Sequence, residues 1–180
     1  MFSSLLPIAR AIDRLNETVG RAVTWLVLAA VLISAGNALM RYGMNMSSNA
    51  WLEIQWYLFS LIFMLGAGYT LKHNGHVRID ILYGRFSART QALVDLAGNL
   101  LFLLPMAALI GWLSWAGFHE SYSIGETSPD AGGLLRWPVK LAIPLGFLLL
   151  ALQGIAEAIK RAAFLVDGIP LEGQQAEEID

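Results

Sequence analysis

The chain has 180 residues, of which 56 % are hydrophobic and only 14 % charged, where a soluble domain carries about 25 % charged residues. The net charge of −2 leaves no basic excess for nucleic acid. Cysteine is absent, which excludes disulfides, thiolate catalysis, iron–sulfur ligation and covalent haem attachment.

Residues Met1–Arg21 form an amphipathic entry segment. Ile8, Ala11, Ile12 and Leu15 recur at helical spacing, with Arg10, Asp13, Arg14 and Glu17 between them, so the segment is expected to lie along the inner membrane surface. An uncharged stretch, Ala22–Met40, follows. Crossing a bilayer core about 30 Å thick takes roughly 20 helical residues, so this is the first expected span. The small residues Ser34-Ala35-Gly36 could end a signal peptide, but the acidic, long leader before them argues against cleavage. Ala30, Ser34 and Ala38 repeat every four residues. That spacing fits close helix contact, and it also fits chance in an alanine-rich helix.

Ser47-Ser48-Asn49 offers N-cap chemistry for a second helix beginning near Ala50, with Glu53 in its first turn, where the helix dipole favours an anion. Trp51, Trp56 and Tyr57 cluster at that end as an interfacial belt would. The uncharged part runs Ile54–Leu71 and ends in Gly66-Ala67-Gly68, again suited to tight helix packing. In the next loop Asn74-Gly75 signals a turn. Val77, Ile79 and Ile81 then alternate with polar residues, but a lone strand has no partner, so an interfacial helix is expected. Ser87 is placed to cap the third helix, whose uncharged stretch is Leu96–Phe118 and whose interior Pro105 predicts a kink. The loop Gly125–Gly133 holds Pro129 and a glycine pair and is expected to be irregular. Trp137-Pro138 opens the fourth helix, with proline suited to the first turn, and Pro144 lies about two turns in.

These signals define an all-α membrane protein: four transmembrane helices at about 22–41, 50–71, 88–118 and 137–161, with interfacial amphipathic segments and a polar, acidic tail, 162–180, expected to be disordered. Nine Lys and Arg residues fall on one side of this layout, and three (Arg41, Arg136 and Lys140) on the other. The excess places both termini and the middle loop in the cytoplasm.

Chemistry is sparse. The spans hold no ionisable residue, so a proton or sodium path within this chain is not expected. Asn37 and Gln153 are their strongest polar groups, and Asn37 suits a bond to a neighbouring helix better than a substrate. His73 and His76 are three residues apart with only Asp80 near them, too few ligands for a metal. His119 lies at the opposite face, so the histidines cannot flank one haem. No nucleophile–base constellation or phosphate loop is visible, and no repeat links the halves. The chain is therefore expected to be no enzyme and to need no cofactor.

Three stretches, in order, resemble the DctQ-like small membrane subunits of tripartite ATP-independent periplasmic (TRAP) transporters, over roughly Arg14 to Arg161. One is Glu53 ahead of an aromatic-rich helix ending Phe63-Met64-Leu65-Gly66-Ala67. The second and most specific is His76-Val77-Arg78-Ile79-Asp80. The third is Arg136-Trp137-Pro138 followed by Ile143-Pro144-Leu145-Gly146-Phe147. The resemblance implies a subunit of a sodium-driven transporter for organic anions such as carboxylates. Its partners would be a large transmembrane (M-type) subunit that carries the substrate, a periplasmic substrate-binding protein, and membrane lipids. The small subunit itself would be a static scaffold. Glu53, Gly66, His76, Arg78, Asp80, Arg136, Pro138, Pro144 and Gly146 are the motif and interface candidates. Two other classes stay open: the membrane anchor of a respiratory complex, and an autonomous four-helix exporter.

Overall fold

The computed structural model describes residues 2–46, 48–75 and 83–170. Four helices long and apolar enough to cross a membrane dominate it. After a 3-10 turn at Phe2–Leu5 come α1 (Leu6–Met44), α2 (Asn49–Lys72), α3 (Ala88–Ser123) and α4 (Trp137–Asp167). Among the described residues β pairing is confined to one isolated bridge, Thr127 with Leu135.

The entry segment does not stand apart. It is the first half of α1, continuous with the first span. Ala9, Asp13, Asn16 and Gly20 form a buried face of that half. A helix lying on a membrane surface would leave Asp13 and Asn16 in water. Here they meet partners on other helices, so the segment joins the bundle.

Several local expectations meet particular geometry. Ser87 caps α3, its hydroxyl accepting from the Thr90 N–H at 3.3 Å. Ser48 occupies the N-cap of α2 with no side-chain capping bond. Pro105 has no N–H to give Leu101, and its ring would crowd that carbonyl. The chain answers with a π turn at Asn99–Leu103, immediately before Pro105, in which the Leu104 N–H reaches Asn99 O. α4 ends at Gly168, a left-handed C-cap at φ 66° that favours glycine.

Helix α4 is the centre of the bundle. α1, α2 and α3 all pack on it, and α1 also packs on α2. The buried apolar residues are mostly alanines: Ala9, Ala30, Ala92, Ala107, Ala142, Ala156 and Ala163. The large apolar side chains point outward instead, Trp25, Phe63, Phe102 and Trp112 among them. A water-soluble protein does the reverse. In lipid there is no hydrophobic gain from hiding leucine, and helices associate by close approach over small residues. Gly146 shows how close. A Cβ there would lie 2.6 Å from the Met64 carbonyl oxygen of α2.

Candidate functional site: two polar clasps

At one end of the bundle, the α3–α4 loop folds back onto the start of α2. Glu53 lies in the second turn of α2, because the helix starts at Asn49, and is only 5 % exposed. Its carboxylate accepts the Leu134 N–H at 2.7 Å and the Ser128 hydroxyl. Tyr57, one turn on, donates its hydroxyl to Leu135 O at 2.9 Å, and the Asn49 amide donates to Ala131 O at 3.1 Å. The loop is braced internally. Ser128 N–H reaches Leu134 O at 2.9 Å, and Arg136 N–H reaches Glu126 O at 2.8 Å. Gly133 must be glycine-sized, since a Cβ would lie 2.9 Å from Glu53 Oε1 and 2.4 Å from Ser128 Cβ. Lys140 Nζ bonds the Glu126 carboxylate. That hydrogen bond, aided by the nearby Arg136 charge, holds the Glu126 carboxyl below the ordinary glutamate range. The loop expected to be irregular is thus tied down by Glu53, Tyr57 and Asn49 of α2 and by the Glu126–Lys140 pair.

At the other end α1 is locked to α4. The Asn16 amide donates to Gln153 Oε1 at 2.9 Å, and Gln153 Nε2 donates to Asp13 Oδ1 at 2.7 Å. Lys160 Nζ reaches both Asp13 oxygens at 3.2 Å and also pairs with Glu157. Beside this, Glu17 collects Lys72 at 2.8 Å, Arg21 at 2.9 Å and His73 at 2.9 Å, tying α1 to α2. Asp95 of α3 pairs with Arg161 of α4 at 3.1 Å and accepts the Tyr83 hydroxyl at 2.8 Å. The buried Asp13 carboxylate is met by the Lys160 ammonium, which is how a low-dielectric setting tolerates ions. Sequence reasoning missed this cluster. Its signal was present: Asp13, Asn16 and Glu17, and Gln153, Glu157 and Lys160, each line one helical face at spacings of three and four.

The motif residues divide. Glu53 and Gly146 sit at close contacts between elements. Arg136 occupies the N-cap of α4, Pro138 its first turn, and Pro144 a buried position inside it. At Gly66 a Cβ would make only an ordinary contact, with Val23 Cγ1 at 3.9 Å; the tight glycine is Gly68, where a Cβ would come within 2.2 Å of Asn16 Oδ1. His76, Arg78 and Asp80 lie outside the described residues. Asn37 makes no hydrogen bond among the described residues, contrary to the bond expected of it. It lines a small cleft with Met40, Met46 and Trp51. His73 is engaged by Glu17 and stacked near Tyr69, while His119 is exposed at the other end.

What fold and site define together is a multi-pass helical membrane protein, its charges gathered into two end clasps that fasten helices to one another. The family model described as tripartite ATP-independent periplasmic transporters, DctQ component, matches residues 30–164, and the chain belongs to that family. No curated protein and no solved structure matches it.

Proposed function

We propose that this chain is the small membrane subunit of a sodium-driven, binding-protein-dependent importer of carboxylates or related organic anions in the bacterial inner membrane. It serves as a static scaffold for a large M-type subunit and carries no substrate itself. One observation supports this most. Between the two clasps, the stretches 22–40, 54–71, 96–118 and 141–156 contain no Asp, Glu, Lys, Arg or His. A coupling ion has no site to occupy at membrane depth. Gln153, a polar group that does lie inside, is spent on helix contacts.

In this reading both termini are cytoplasmic, and the braced loop 124–136 faces the periplasm and the binding protein. Proteoliposomes holding this chain alone take up no labelled carboxylate under a sodium gradient. Adding the large subunit and the binding protein gives uptake. Uptake by this chain alone would refute the scaffold role. For orientation, single cysteines at Arg85 and Asp130, both exposed, are tested with an impermeant thiol reagent on intact cells. Labelling only at position 130 agrees with the topology, and labelling at 85 reverses it.

A further inference from the structure

Helix α1 carries one exposed stripe between Arg10 and Leu32. Arg10, Arg14, Arg21, Trp25, Leu28 and Leu32 recur at steps of three, four and seven, so they share one face of a 3.6-residue helix. All six are exposed. The stripe changes character once, between Arg21 and Trp25, from cationic to apolar.

Beside its cationic part lies a groove of about 470 Å³, which Lys72 of α2 helps to line. Two carboxylates also face this groove, Asp13 and Glu17, and both are already engaged. Asp13 is held by Lys160 and Gln153, and Glu17 by Lys72, Arg21 and His73. Arg10 and Arg14 have no carboxylate partner among the described residues. Four cations against two carboxylates leave the groove two charges positive. No other described residue lining the groove offsets that net charge, and the groove sits where the apolar stripe begins.

We propose that this groove binds the headgroup of an anionic phospholipid, phosphatidylglycerol or its diphospho form, whose acyl chains run along Trp25, Leu28 and Leu32. Guanidinium groups match a phosphodiester with paired donors, and their charge is attracted to an anionic membrane surface. The amphipathic layout of one stripe, basic and then apolar with an interfacial tryptophan between, follows the layout of the lipid itself. The inference is independent of what the transporter carries.

Native mass spectrometry of the detergent-solubilised full chain, titrated with phosphatidylglycerol or phosphatidylcholine, tests it. The wild-type protein prefers phosphatidylglycerol, and the preference fades in high salt. R10Q/R14Q weakens phosphatidylglycerol binding by about fivefold per arginine, roughly 25-fold together, and leaves phosphatidylcholine unchanged. R10K/R14K keeps most of the binding, and R41Q, which alters an exposed arginine at the far end of the same helix, keeps all of it. Equal retention of the two lipids by the wild type would overturn the proposal, and so would unaltered binding by a folded R10Q/R14Q. Should that variant not fold, the wild-type preference and its salt dependence still decide. Thermal stabilisation by millimolar inorganic phosphate equal to that by phosphatidylglycerol would assign the groove to a free anion and not to a lipid.

Discussion

The side chains of Asn16 and Gln153 meet at 2.9 Å across 137 residues of chain, and both are fully buried. This pair joins the segment before the first span to the middle of the last helix. Around it, Asp13, Glu157 and Lys160 complete a network in which each amide or charge has a partner. Asn16 Oδ1 alone has no hydrogen-bond donor, and it lies directly against Gly68.

Replacing Asn16 by alanine removes the donor to Gln153 Oε1 and leaves a buried acceptor unsatisfied. The expected loss is about 1–2 kcal/mol, the range for a buried unpaired amide group reduced for a membrane setting. Thermal unfolding in detergent reads it. A fully stable variant would mean that water reaches the pair.

Two glycines three angstroms apart along α2 should behave differently. Gly68→Ala drives a Cβ into Asn16 Oδ1 and toward Leu149 O, whereas Gly66→Ala meets nothing closer than 3.9 Å. Overpacking costs about 1–3 kcal/mol, so only the Gly68 variant should lose stability or monodispersity in size-exclusion chromatography. Equal behaviour of the two would contradict the packing of α1 against α2.

Gly146→Ala sets a methyl group 2.6 Å from backbone, the Met64 carbonyl, which cannot swing aside as a side-chain end can. A loss of about 1–3 kcal/mol is expected, with α2 and α4 pushed apart. Disulfide trapping between cysteines introduced on those two helices should slow in the variant.

Glu53→Ala deletes the acceptor for Leu134 N–H and the Ser128 hydroxyl. Hydrogen bonds to a charged group contribute about 1.5–3 kcal/mol each, so the loop 124–136 should open. Limited proteolysis should then cut within 127–133 while the four helices stay intact. A loop that remains resistant would show that Tyr57 and Asn49 suffice to hold it.

The Glu126–Lys140 pair makes the same loop sensitive to acid. Glu126 titrates below the ordinary glutamate value of about 4.3. A carboxyl with a depressed folded pKa adds stability that is complete above its unfolded pKa and is lost as pH falls through the folded one. Protease resistance of the loop should therefore hold at neutral pH and decline below about pH 4. Glu126→Gln should show part of this susceptibility already at pH 7, and its remaining change on acidification should come from Glu53, the other carboxylate holding the loop.

Hydropathy is local and additive, so the four helices long and apolar enough to cross a membrane were legible in the residues alone. The same holds for the Ser87 cap and the disturbance at Pro105, which depend on neighbours within one turn. The resemblance carried by Glu53, His76–Asp80 and Arg136–Pro138 pointed to the family that the match over residues 30–164 shows. Partner choice was not legible. Nothing in the order of residues says that Asp13 meets Lys160, or that Glu53 receives a loop 81 positions away. An amphipathic segment with charges looks the same whether its polar face meets water or another helix. Likewise Gly66 and Gly68 differ only in which of them faces Asn16, a matter of a rotation of about 200° around α2. Those choices depend on which faces the packed helices turn to one another, and only the tertiary structure decides them.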